Sequence, residues 1–126
     1  MTRVAMVVGY DGTRYCGWQH QRHCEAVQTV VEHAISIVAD HEVRVHCAGR
    51  TDTGVHATGQ VIHFDTEAHR SSRGWLLGTN SQLPPDVSAS RALTVSGDFH
   101  ARYDALERQY RYLIHNSISR HAVFAN

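Results

Sequence analysis

The chain has 126 residues, 42% of them hydrophobic and 19% charged, which suits one globular domain with a single core and excludes a disordered or collagen-like polymer. Twelve basic residues offset twelve acidic ones, so no overall positive charge marks a nucleic-acid binder; every basic residue is arginine, which excludes Schiff-base lysine chemistry and a lysine-bearing phosphate loop. Cys16, Cys24 and Cys47 are an odd number without paired spacing, which speaks against a disulfide framework and fits a reducing cytoplasm, and neither a membrane-length apolar run nor an export leader is evident.

Val4 to Tyr10 reads as a short apolar strand ended by the turn signal Asp11-Gly12. Residues 13 to 23 read as irregular, with Tyr15 and Trp18 set among glycine and polar groups. From Val27 the apolar positions Val27, Val30, Val31, Ala34, Ile35 and Val38 follow a 3.6-residue repeat, which predicts an amphipathic helix packed on a sheet. Glu42 to Cys47 alternates polar with apolar, and Gln60 to Phe64 is rich in β-branched and aromatic residues, so two strands are expected there. Ser71 or Ser72 can cap a second, short helix through Trp75, Leu76 and Leu77, with Asn80 and Pro84-Pro85 enforcing a break. Val87 to Val95 alternates as a strand, and Arg108 to Ile114 supplies the last. Antiparallel pairing with both helices on one face covers such a sheet economically, giving an α+β domain.

Between the second and third strands runs Ala48-Gly49-Arg50-Thr51-Asp52-Thr53-Gly54-Val55-His56-Ala57, a glycine-hinged loop that displays one carboxylate. If the backbone there is extended, Arg50 and Asp52 share a face, and the guanidinium favours the ionised carboxylate. A turn aspartate bonded to its own backbone is the plainer alternative. Asp52-Thr53-Gly54 is also the triplet of aspartic proteases, but there it follows apolar residues so that two carboxylates can share a proton; here it follows Gly49-Arg50-Thr51, which opposes proton sharing. Cys16, His20, His23 and Cys24 match neither usual zinc spacing, so no metal site is expected.

The segment Gly49 to Ala57 closely resembles the active-site segment of TruA-type tRNA pseudouridine synthases. Further segments match in the same order: Tyr10 to Gln19, Val27-Gln28, Gly59 to Phe64, Asn80 with Leu83-Pro84, Phe99-His100-Ala101-Arg102, and Arg108-Gln109-Tyr110-Arg111-Tyr112. The resemblance implies a ferredoxin-like half, related to the RNA-recognition fold, spanning 1–126 as the N-terminal domain, with the C-terminal half of the family absent from this sequence. It implies isomerisation of uridine to pseudouridine at positions 38 to 40 of the tRNA anticodon stem-loop, without a cofactor, by a cytoplasmic homodimer. Asp52 resembles the catalytic aspartate, Arg50 the arginine that helps extrude the target nucleotide, and Tyr110 the tyrosine that stacks on the target uracil. Arg14, Arg102, Arg108 and Arg111 are candidate phosphate contacts. Because the family's cleft lies between two halves, this chain alone is expected to be inactive; a non-catalytic RNA-binding domain is the alternative.

Overall fold

The computed structural model describes residues 1–101. Its elements are β1 (Thr2–Tyr10), a 3-10 turn (Gly12–Arg14), α1 (Val27–Ala39), β2 (His46–Cys47), β3 (Ala57–Thr66), α2 (Ser72–Gln82) and β4 (Val87–Val95). The sheet runs β2-β3-β1-β4 with every pair antiparallel, the α+β arrangement expected from the pattern in the ferredoxin-like order that the resemblance implies. The expected strand at 108–114, with Tyr110, Arg108 and Arg111, lies outside the described residues, as does Arg102.

Alternation decides which face is buried. Val4, Met6, Val8 and Tyr10 on β1 and Ile62 and Phe64 on β3 are buried and join one core with Val27, Val31 and Ile35 of α1 and Trp75 of α2. On β4 the buried positions change from Val87 and Ala89 to Ala92, because Val7 faces Arg91 whereas Val8 faces Ala89. Ser90 is the extra residue of a bulge there, and it moves the alternation by one.

Both helices start as their sequences predict. Ser71 caps α2, its hydroxyl accepting the Gly74 N–H at 2.9 Å. Ala26 gives α1 no side-chain cap, and the Val27 and Gln28 N–H groups donate instead to the carbonyls of Gly17 (3.1 Å) and Trp18 (2.9 Å). Asn80 lies inside α2 instead of ending it. Its amide accepts from the Ala89 N–H and donates to the Ala89 carbonyl, tying the helix to β4.

The strand expected at Glu42–Cys47 shrinks to two residues. Ser36 Oγ takes the Val43 N–H (2.9 Å) and Glu32 Oε2 takes the Val45 N–H (2.9 Å), so helix side chains hold these backbone donors in place of a neighbouring strand. The pattern marked which side chains face inward and could not reveal that α1 supplies the acceptors.

The second face of the sheet carries a polar cluster. Arg3 grips Asp65 with two hydrogen bonds of 2.8 and 3.0 Å, which hold the Asp65 carboxyl below its usual range. Beside them His63, only 1% exposed, stacks on His46 at 4.9 Å and meets His100 edge-on at 4.6 Å, while its Nδ1 accepts the Ala101 N–H. Burial above all, helped by Arg3, His100 and His46, pushes His63 down to about 4. A depressed histidine is neutral in the fold, and its stabilising contribution is complete above about pH 6.5. Between there and its folded value the unfolded chain binds the proton more readily, so up to about 3 kcal/mol is lost as pH falls through that window. The urea midpoint is expected to drop over this range and to drop less steeply in His63→Gln; identical slopes in the two proteins would contradict the assignment.

Candidate active site

The loop between β2 and β3 is pinned where it leaves the sheet. Ala48 N–H donates to the Val61 carbonyl at 2.8 Å, and the side-chain amide of buried Gln60 bonds both the N–H and the carbonyl of Gly49. Sequence reasoning gave Gln60 no role. The available signal was a polar residue on the core-facing register of β3.

The middle of the loop rests on the segment that follows β1. Trp18 N–H donates to the Thr51 carbonyl (3.0 Å), Gly54 N–H donates to the Tyr15 carbonyl (3.2 Å), and the Tyr10 and Thr51 hydroxyls meet at 2.8 Å. Val55 N–H returns to the Asp52 carbonyl at 3.1 Å, closing a turn that begins on Asp52 and places Gly54 at φ 80°, where a residue with a Cβ is strained. His56 closes the far side: its Nδ1 accepts the Gly12 N–H at 2.9 Å. The same nitrogen lies 3.2 Å from an Asp11 carboxylate oxygen.

Asp52 is thus fixed by backbone while its carboxylate stands exposed, without an ion pair or hydrogen bond to any other described residue. The expected pairing with Arg50 is not formed. Both side chains stand exposed, and no ion pair or hydrogen bond joins them. Arg50 is also exposed, and it lines a cavity of about 550 Å³ with Trp18, Gln28, His46, Cys47 and His100. The cavity lies between the start of α1 and the β2 edge, and Asp52 is not in its lining.

Arg14 is exposed but engaged: it pairs with Asp86 at 3.0 Å, which raises its pKa further. The Tyr15 hydroxyl donates to the other Asp86 oxygen at 2.6 Å, and burial together with that bond pushes the phenol up to about 12. Tyr15 and Trp18 are core residues, and Trp18 also forms cavity wall.

Cys16 and Cys24 are joined in a disulfide, against the expectation from cysteine count and spacing. The physical reason is local. Cys16 N–H bonds the Glu25 carbonyl at 3.0 Å and Gln21 Nε2 bonds the Cys16 carbonyl at 2.7 Å, so the segment folds back and brings the two Cα atoms to 6.2 Å. An odd count forbids only complete pairing.

The sequence pattern of the tRNA pseudouridine synthase family matches residues 6–104, a span that contains the whole Asp52 loop and the segment beneath it. The chain belongs to the tRNA pseudouridine synthase family. Among its relatives, a tRNA pseudouridine synthase A of Glaesserella parasuis is 52% identical over 96% of this chain and 46% of its own length. One of Hydrogenovibrio crunogenus is 50% identical over 100% and 48%, and one of Shewanella woodyi 54% identical over 90% and 44%. The chain spans about half the length of these curated relatives of the pseudouridine synthase family. No helix among the described residues is long and apolar enough to cross a membrane.

Proposed function

We propose that this chain supplies the aspartate side of a site that converts uridine to pseudouridine in the tRNA anticodon stem-loop, at positions 38 to 40. The observation that carries the reading is an exposed carboxylate, Asp52, held by main-chain hydrogen bonds within the stretch that matches the family. Isomerisation breaks the bond between ribose C1′ and uracil N1, turns the base and re-forms the link through C5, whose proton is then lost. Asp52 acts either as nucleophile at C1′ or as the base that removes a ribose proton on a glycal path. Arg50 guides the extruded nucleotide: it stands in the cavity beside the loop, and a guanidinium can hold phosphate and stack on bases. Tyr110 is proposed to stack on the target uracil.

Asp52 and Arg50 both face open solvent, which favours a second reading in which this half binds RNA and performs no chemistry alone. The wall that closes over the base is then contributed by the other half of the relatives' length, and the working protein is a cytoplasmic homodimer with one tRNA across both subunits. Incubating labelled tRNA with this chain, alone and with the complementary half, and counting pseudouridine separates the two. Product only in the mixture supports a shared site; product from neither, with tRNA bound, leaves RNA binding alone.

Arginine contacts to phosphate make affinity fall with salt, by about 0.9 in log–log slope for each phosphate neutralised in duplex regions. Arg50→Ala is expected to reduce turnover by a larger factor than it weakens tRNA binding, because extrusion lies on the reaction path. Equal losses in both measurements would reduce Arg50 to an ordinary phosphate contact.

A further inference from the structure

The disulfide closes a ring around two of the residues on which the Asp52 loop rests. Gly17 and Trp18 lie between Cys16 and Cys24; Trp18 N–H holds the Thr51 carbonyl, and Gly17 approaches so closely that a Cβ there would stand 2.5 Å from the Thr51 oxygen. The carbonyls of the same two residues receive the first N–H groups of α1. One short segment therefore joins the helix start to the reactive loop. Cys24 is exposed and Cys16 half-buried, so a thiol reagent can reach the bond. The third cysteine, Cys47, sits apart on β2.

We propose that Cys16 and Cys24 form a reversible thiol-modification site that sets the order of the Gly17–Trp18 support and, through it, the placement of Asp52. In a reducing compartment a disulfide of this kind cycles with the local dithiol pool. One thiolate of a dithiol reductant attacks the exposed Cys24 sulfur, and Cys16 leaves as a thiolate that takes up a proton. The second thiol of the reductant then attacks the mixed disulfide, releasing Cys24 as a thiol and the reductant as its own disulfide. Two electrons pass to the protein, and a disulfide of the same class reverses the exchange. The closed ring restricts the excursions of Gly17 and Trp18; when it opens, main-chain hydrogen bonds and the buried Trp18 side chain still hold the segment, without the covalent limit on its local opening. The consequence for turnover rests on the proposed function, whereas the thiol chemistry and the change in order do not.

The test equilibrates the full chain in graded ratios of reduced and oxidised dithiothreitol, alkylates it, and counts modified cysteines by mass while amide exchange is followed at Trp18 and Gly54. Cys16 and Cys24 are expected to become alkylated together in one reversible transition, with Cys47 independent of it. Exchange at Trp18 and Gly54 should rise about 10-fold on reduction, since local opening is no longer limited by the ring. Cys24→Ser should exchange at the reduced rate in every buffer, and Cys47→Ser should keep the transition. If Cys24→Ser does not fold, the wild-type chain reduced and then alkylated supplies the same comparison. Separate titration of Cys16 and Cys24, or exchange unaffected by reduction, would overturn the proposal. Absence of pseudouridine in both redox states, with the exchange change intact, would count against the catalytic reading alone.

Discussion

Asp52→Asn is expected to lower pseudouridine formation by at least about 10³-fold in a preparation that turns over tRNA, with affinity for tRNA kept within a few fold. The carboxylate has no ion pair or hydrogen bond to another described residue, so the substitution removes no contact with any of them. An exposed, isosteric change of this kind leaves stability within about 0.5 kcal/mol. What disappears is the negative charge that, in the proposed reaction, attacks C1′ or accepts a ribose proton. Single-turnover assays with a labelled anticodon stem-loop, run beside a binding titration, resolve the two quantities; near-normal turnover by Asp52→Asn would end the assignment.

Gly17→Ala should damage the site without touching a side chain of it. Gly17 sits at φ 87°, and an added Cβ would lie 2.5 Å from the Thr51 carbonyl oxygen and 3.2 Å from the Asp52 carbonyl carbon. Both obstacles are backbone and cannot rotate aside. A loss of about 2–4 kcal/mol in stability is expected from strain and overlap together. Displacement of Asp52 by even 1 Å is expected to cost about 100-fold in turnover beyond any loss of folded protein. Gly97→Ala is the control, because nothing lies within 4 Å of a Cβ there. Denaturant midpoints and turnover measured on the folded fraction check both effects, and a Gly17→Ala protein that matched the control would show that the segment does not position the loop.

Much of the fold was legible because its signals are periodic or local. The 3.6-residue repeat from Val27 became α1, Ser71 became a cap, and the alternation from Val4 and from Val87 became β1 and β4. Misreadings arose where a side chain from a distant element intervened. Glu32 and Ser36 hold the backbone of the expected strand at Glu42–Cys47, and Asn80 reaches β4 from within its helix. At the site, the motif led to Asp52 and Arg50. The tie between them is not formed, because spacing can place two side chains near each other without fixing whether either points to its neighbour or to solvent. Gln60, His56 and Gly12 act through hydrogen bonds whose partners are 11 and 44 positions away, a separation that no local spacing encodes.

The bonds that hold the centre of the Asp52 loop run mainly from N–H to C=O: Trp18 to Thr51, Gly54 to Tyr15 and Val55 to Asp52. Every residue except proline brings both of those groups. The coordinates of the carboxylate are therefore insulated from the identity of the exposed side chains at Gln19, Thr53 and Val55. Such positions are free to vary the exposed surface while the Asp52 oxygens stay where they are. Under the proposed function, chemistry and substrate preference can then change independently, and a screen for altered tRNA choice has its safest starting library at those three residues.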